Sequence, residues 1–204
     1  MTGGNVETVQ RLDDIERYFA DTAGTFDESE DRRYLDLGGG KVLLLFRTAG
    51  IVFTIRDGKV VRGDAYLDPQ EALKSGFDHS FRLFGTEDLD GAVSGMTPDV
   101  EWEHQPGTGA PEEGLYRGRD QVRSLLGRLR EAWDDFRVDV RDVTDGDNEF
   151  VVNGVIHARG KISDIELQGD CEYVIEFRDS RAVRIRFLTR TAPVLPSREA
   201  TDAA

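Results

Sequence analysis

A histidine and a carboxylate within hydrogen-bonding reach form the smallest unit of acid–base chemistry, and one such pair can be placed in this chain from spacing alone. Ile162 and Ile165 flank Ser163-Asp164. A turn at that dipeptide, joining strands over residues 150–159 and 165–178, sets His157 directly opposite Asp170. Opposed Cβ atoms in an antiparallel ladder lie about 4.5–5.5 Å apart, close enough for an imidazole–carboxylate hydrogen bond. Alternation puts both residues, and Arg159 with them, on the more polar side of these strands. A solvated cross-strand contact contributing about 0.2–1 kcal/mol has the same sequence signature, so a reactive pair and a surface pair both stay open.

Other chemistry-bearing side chains are sparse. Trp102 and His104 share one face of an alternating segment over residues 97–104, where each is a candidate for a pocket wall or for core. Tyr116 precedes a long helical pattern and offers a phenol hydroxyl to a ligand carbonyl. The three histidines, His79, His104 and His157, show no closely spaced carboxylate–histidine motif, which argues against a metal site. Cys171 is alone, so an intrachain disulfide and a multi-cysteine metal site are excluded, and alternation makes it a packed small hydrophobe. Gly38-Gly39-Gly40 falls between strands rather than before a helix, so it is no phosphate loop. No cofactor is expected.

The elements that must position these residues read as mixed helix and strand. Val9, Leu12, Ile15 and Phe19 fall at helical spacing over residues 7–20. Strands are expected over 41–48 and 51–66, the second folded by a turn at Arg56-Asp57-Gly58-Lys59, since Asp-Gly tolerates positive φ. Residues 69–76 predict a short helix opened by Pro69 and closed by Gly76. A new unit starts near Asp78, with Phe81 and Phe84 on one helical face and Thr86 placed to cap a helix through Val93. Asp120 is expected to cap a helix whose Val122, Leu125, Leu126, Leu129 and Trp133 form one apolar stripe. Strands over 136–143, 150–159, 165–178 and 181–189 follow. The first sheet, over 34–66, is expected to pack on the later one, because its apolar faces lack helices of their own.

The chain also resembles itself. Arg56-Asp57-Gly58-Lys59-Val60-Val61-Arg62 matches Arg178-Asp179-Ser180-Arg181-Ala182-Val183-Arg184, and Ile15 to Phe19 corresponds to Leu129 to Trp133. The matched order predicts a truncated first copy that lacks a counterpart of residues 161–172 and of 78–118. It carries Arg47 where the second has His157, and is expected to be catalytically silent.

Composition bounds the rest. The 204 residues carry 26 Lys and Arg against 40 Asp and Glu, a net charge of −14. That balance argues against nucleic acid or an anionic membrane as a partner, since phosphate binding rests on clustered cations. A hydrophobic share of 38% supports an ordinary core. The longest apolar run, Val42-Leu43-Leu44-Leu45-Phe46, is far short of the roughly 20 residues that span a bilayer. Met1-Thr2-Gly3-Gly4-Asn5 has no basic or apolar leader character, so a cytoplasmic location is expected.

Several motifs then bring a known family into view. Thr97-Pro98-Asp99-Val100-Glu101-Trp102, Gly114-Leu115-Tyr116-Arg117-Gly118-Arg119-Asp120, Glu131-Ala132-Trp133 and Phe177-Arg178-Asp179, in that order, resemble the SnoaL-like proteins of the nuclear transport factor 2-like superfamily. The resemblance covers residues 78–195, after a truncated copy over 1–77 and before a frayed tail over 196–204. It implies an α+β cone, a curved and mainly antiparallel sheet wrapped around helices, with an apolar pocket between them. Family members include polyketide cyclases, small isomerases and hydrolases, and many proteins of no assigned activity, so fold alone does not give chemistry. By resemblance Asp170 would be the general base and His157 its proton-returning partner, while Trp102, His104, Tyr116 and Arg159 would touch the ligand. The expected partner is a small apolar molecule, with a homodimer or an intrachain pseudo-dimer both compatible. The function implied is a cofactor-independent cyclase or isomerase, the alternative being a non-enzymatic binding or dimerisation module. The chain departs from the family at Phe187-Leu188-Thr189-Arg190, where many members carry Trp and an acidic residue.

Overall fold

The computed structural model describes residues 32–104, 113–146, 148–164 and 166–189. The helix expected over 7–20 and the tail over 196–204 lie outside them. Four strands come first: β1 (Arg33–Gly38), β2 (Lys41–Leu45), β3 (Gly50–Arg56) and β4 (Lys59–Tyr66), an antiparallel meander in chain order. Asp57 and Gly58 turn the last hairpin with φ of 51° and 68°, the conformation that an Asp-Gly pair makes inexpensive. A later turn, at Asp179 and Ser180, has φ of 48° and 67°. Thus the two segments that match in sequence also turn alike.

Helix α1 (Pro69–Phe84) begins where Asp68 accepts a hydrogen bond from the Gln70 amide and Pro69 fills the first turn. It does not stop at Gly76 as expected. Gly76 lies buried against β1, where a Cβ would come within 3.0 Å of Leu37 Cδ1. The glycine serves a close approach rather than an end. The helix runs on until Gly85, so the boundary expected between residues 77 and 78 falls inside it.

Short α2 (Leu89–Ser94) is capped by Asp88, whose Oδ1 accepts from the Gly91 amide at 2.8 Å, and not by Thr86. Thr86 instead ties off the preceding helix, donating to Leu83 O at 2.9 Å. Helix α3 (Arg119–Ala132) begins after Gly118, at φ 77°, and Asp120 sits in its first turn rather than at the cap. Its stripe of Val122, Leu125, Leu126 and Leu129 is buried as the spacing predicts, but Trp133 leaves the helix as the first residue of a strand. Arg119 fastens the helix start to the segment that follows α2, donating through Nε to Met96 O at 2.9 Å.

The second sheet comprises β5 (Met96–His104), β6 (Gly114–Arg117), β7 (Trp133–Asp145), β8 (Glu149–Gly160), β9 (Glu166–Arg178) and β10 (Arg181–Thr189). Its spatial order is β6-β5-β10-β9-β8-β7, with β5 and β10 parallel and every other pair antiparallel. Register irregularities at Ala182/Arg184, Asp134/Arg137 and Val140/Asp142 interrupt the ladders. Such bulges bend strands, and they curve this sheet around its contents.

The small sheet meets the large one directly at β1, where the Asp36 amide donates to Ser180 O at 2.8 Å and Arg33 pairs with Asp145, but their apolar faces do not pack on each other as expected. Helix α1 lies between them. Leu35, Leu37, Leu43 and Val52 of the small sheet join one buried cluster with Ala72 and Leu73, and Phe77, Phe81 and Phe84 carry that cluster on to the large sheet. The Phe77 ring sits 5.5 Å from Phe150 and 6.4 Å from Phe177. A helix with apolar residues on two sides resolves the shortage of covering helices that the first sheet's pattern implied.

Candidate functional site

Alternation along β5 sends Val100, Trp102 and His104 inward, as the sequence predicts, and all three are buried. Strand β9 presents Cys171, Tyr173, Ile175 and Phe177 to the same interior, and β10 presents Ile185 and Phe187. From α1, Phe81 and Phe84 meet them. Six rings close a circuit: Phe84 to Trp102 at 5.2 Å, Trp102 to His104 at 6.1 Å, His104 to Phe187 at 5.0 Å, Phe187 to Tyr173 at 4.9 Å, Tyr173 to Phe81 at 4.6 Å and Phe81 back to Phe84 at 5.4 Å. Trp102 and Tyr173 also meet across the middle at 6.3 Å, so the circuit is a packed floor. Centroid spacings of 4.5–7 Å in tilted and edge-on arrangements are those aromatic rings favour.

Polar atoms punctuate that floor. His104, 4% exposed, is the buried polar side chain among the described residues. Trp102 Nε1 is buried and has no hydrogen-bond partner among the described residues. Burial pushes the Tyr173 phenol well above its ordinary range, with the Cys171 thiol adding in the same direction. Cys171 itself is pushed up to about 12, first by burial and then by the charge of Asp170, which fits a packed thiol rather than a nucleophile. Tyr116, on β6 directly opposite Trp102, brings its ring to 6.4 Å from His104 and takes the Arg128 guanidinium over its face at 5.6 Å. Thus Trp102, His104 and Tyr116 come together at one end of the aromatic circuit.

The other three expected site residues stand elsewhere. The β8–β9 register pairs His157 with Gln168 and Asp170 with Val155, two residues away from the expected alignment. The physical reason is the turn. Gly160 O accepts from the Asp164 amide at 2.8 Å and Asp164 takes a left-handed φ of 53°, so the loop wraps Ile162 onto its tip, fully exposed. Both side chains do stay on the outer, polar face. There His157 Nε2 meets Asp139 Oδ2 at 3.0 Å, and Asp170 Oδ1 accepts from Arg141 at 2.8 Å. Arg159 pairs with Glu166 at 2.7 Å on the same face. The signal that could have corrected the register is Ile162, read as a strand residue because it is apolar.

Among the described residues no three His, Cys, Asp or Glu side chains converge as metal ligands, and no helix is long and apolar enough to cross a membrane. Comparison with known proteins now settles the family. Residues 77–185 match the SnoaL-like domain. The chain belongs to the SnoaL-like family. Similar solved structures include TerC co-crystallized with polyporic acid, at 25% identity over 54% of this chain and 85% of that one, TM-score 0.49. A nuclear transport factor 2-like protein of unknown function from Burkholderia pseudomallei is 22% identical over 54% and 84%, TM-score 0.49. A cystatin-like fold protein from Xanthomonas campestris is 18% identical over 54% and 84%, TM-score 0.47. No curated protein matches the chain. Within this SnoaL-like chain the curved six-stranded sheet and α1 build the family's cone, and β1–β4 lie N-terminal to the matched residues.

Proposed function

We propose that this SnoaL-like protein binds a small, largely apolar carbonyl compound of the polyketide type against the His104–Tyr116 end of the aromatic floor. The observation that carries the reading is the placement of buried polar atoms, His104 and Trp102 Nε1, at the edge of an otherwise apolar wall of rings. Ligand sites combine that much apolar surface with a few fixed polar groups, which orient the molecule. An unpaired buried indole N–H costs about 1–3 kcal/mol, which a ligand carbonyl would offset.

A second reading, cyclisation or isomerisation by acid–base catalysis, gains support from His104 alone. An imidazole titrates near neutral pH and can pass a proton to and from a bound carbonyl compound. His157 and Asp170 do not enter either reading, because their partners hold them on the opposite face of the sheet.

The test uses tryptophan fluorescence in a Trp133→Phe background, so that Trp102 alone reports. Titration with a panel of aromatic ketones and quinones, polyporic acid among them, should give saturable quenching that His104→Ala weakens by roughly tenfold, the worth of one hydrogen bond of about 1.4 kcal/mol. Absence of saturable quenching across the panel would sink the binding reading. Turnover of a bound compound that survives His104→Ala unchanged would sink the catalytic one.

A further inference from the structure

We propose that a groove of about 380 Å³ on the outer side of α1, away from the aromatic floor, is a binding site for a phosphate-bearing anion. Lys41 at the start of β2, Tyr66 at the end of β4, and Lys74, Ser75, His79 and Arg82 along one side of α1 line it. Among the described residues none of Lys41, Lys74 and Arg82 forms an ion pair. In a chain with 40 acidic residues against 26 basic ones, three cations around one groove that pair with no described acid need an explanation, because acids are abundant enough to pair them. Two carboxylates also line the groove, Glu71 and Asp78, and Asp78 already accepts from the Val140 amide at 3.2 Å. Asp64, within reach of the field of Lys41, is held by Arg62, whose Nε donates to it at 2.8 Å.

The neutral groups suit the same ligand. Tyr66 Oη and Ser75 Oγ share a hydrogen bond of 2.7 Å. One of the two hydroxyls donates in that bond, which leaves the other with a proton to offer an incoming oxygen. His79 Nε2 is buried without a hydrogen-bond partner among the described residues. Its imidazole is held below the ordinary range, mainly by burial and then by Lys41, with a smaller push from Arg82 and an opposing pull from the Gly38 carbonyl. Thus cations from two elements act on one ring, and three cations face two carboxylates around the groove. Phosphate, with several strong acceptor oxygens, is matched by ammonium, guanidinium and hydroxyl donors arranged around a cavity larger than the ion itself. The excess volume leaves room for an organic portion. This site is independent of the reading given to the aromatic floor.

The test follows the His79 ring by NMR in the full-length protein while inorganic phosphate replaces chloride at constant ionic strength. Phosphate should move the His79 resonances saturably and raise the pH at which the ring titrates, since an anion between Lys41 and Arg82 favours imidazolium. Lys74→Gln and Arg82→Gln, both at exposed positions, should each weaken phosphate binding by roughly tenfold, the loss of a charge-assisted contact. Lys59→Gln, an exposed cation outside the groove, should leave it unchanged. The proposal is overturned if phosphate has no more effect than chloride, if succinate saturates the shift and phosphate does not, or if both α1 variants bind phosphate as the unaltered protein does.

Discussion

Asp36 shows how one carboxyl can set a pH dependence. It lies at the contact between β1 and the β9–β10 turn, where the Asp36 amide donates to Ser180 O at 2.8 Å and Arg181 Nε stands 3.9 Å from its carboxylate. Burial raises its pKa, against smaller opposing pulls from the Gly38 amide, Arg181 and Arg119. A carboxyl with a raised folded-state pKa favours folding when protonated. That contribution is complete below the unfolded value near 3.9 and is lost as pH rises through the folded value. Asp36→Asn should therefore raise the melting temperature at pH 7 and lose that advantage below about pH 4; equal melting shifts at both pH values would show that burial does not govern this group. At Asp170 the expectation is different. Its partner Arg141 is exposed, so Asp170→Asn should change stability by less than about 1 kcal/mol and leave ligand quenching of Trp102 unaltered. Chemical denaturation and the fluorescence titration measure both. Residue identity made His157 and Asp170 attractive in sequence, and parity correctly put them on one face. The two-residue slip came from a loop whose hydrogen bonding no dipeptide reveals.

At the scale of elements, packing between α1 and β3 turns on a missing side chain. A Cβ at Gly50 would lie 2.4 Å from Ala72 Cβ, and neither atom can rotate away. Gly50→Ala should cost about 1–3 kcal/mol through overpacking, read from the urea midpoint. A cost below 0.5 kcal/mol would mean that sheet and helix separate easily. Periodicity in the sequence found β5, α3 and β7 to β10 because each has a two- or 3.6-residue pattern, but it missed β6, a four-residue strand. It truncated α1 at Gly76 because a glycine that permits close approach and a glycine that ends a helix are the same letter. Thr86 and Asp120 misled for a related reason: each is a good cap residue two positions from the true cap or inside the first turn, and capping is decided by local dihedrals. Alternation put Trp102 and His104 on one face, whereas Tyr116, read as a residue ahead of α3, joins them through β6, where it lies opposite Trp102. The floor they join needed Phe187, brought in by the parallel β5–β10 pairing, and Tyr173, which lies opposite Phe187 in the antiparallel β9–β10 pairing.

For the whole molecule, a single helix covered on both sides makes two sheets into one cooperative unit. Hydrogen exchange in native buffer should therefore report a common opening free energy for the central amides of β2, β3, β8 and β9, all of which depend on α1 for burial. Earlier exchange of β2 and β3 as a block would show that the small sheet opens alone. The family match begins at residue 77, in the middle of that helix. Its N-terminal half, with Ala72, Leu73 and Gly76, answers to the small sheet, and its C-terminal half answers to the cone. The extra strands are consequently not an appendage that inheritance could add or drop by itself. A relative that lacks β1–β4 must carry polar side chains where this chain has Leu73 and Gly76, or hide those positions under another subunit, and its own sequence will show which.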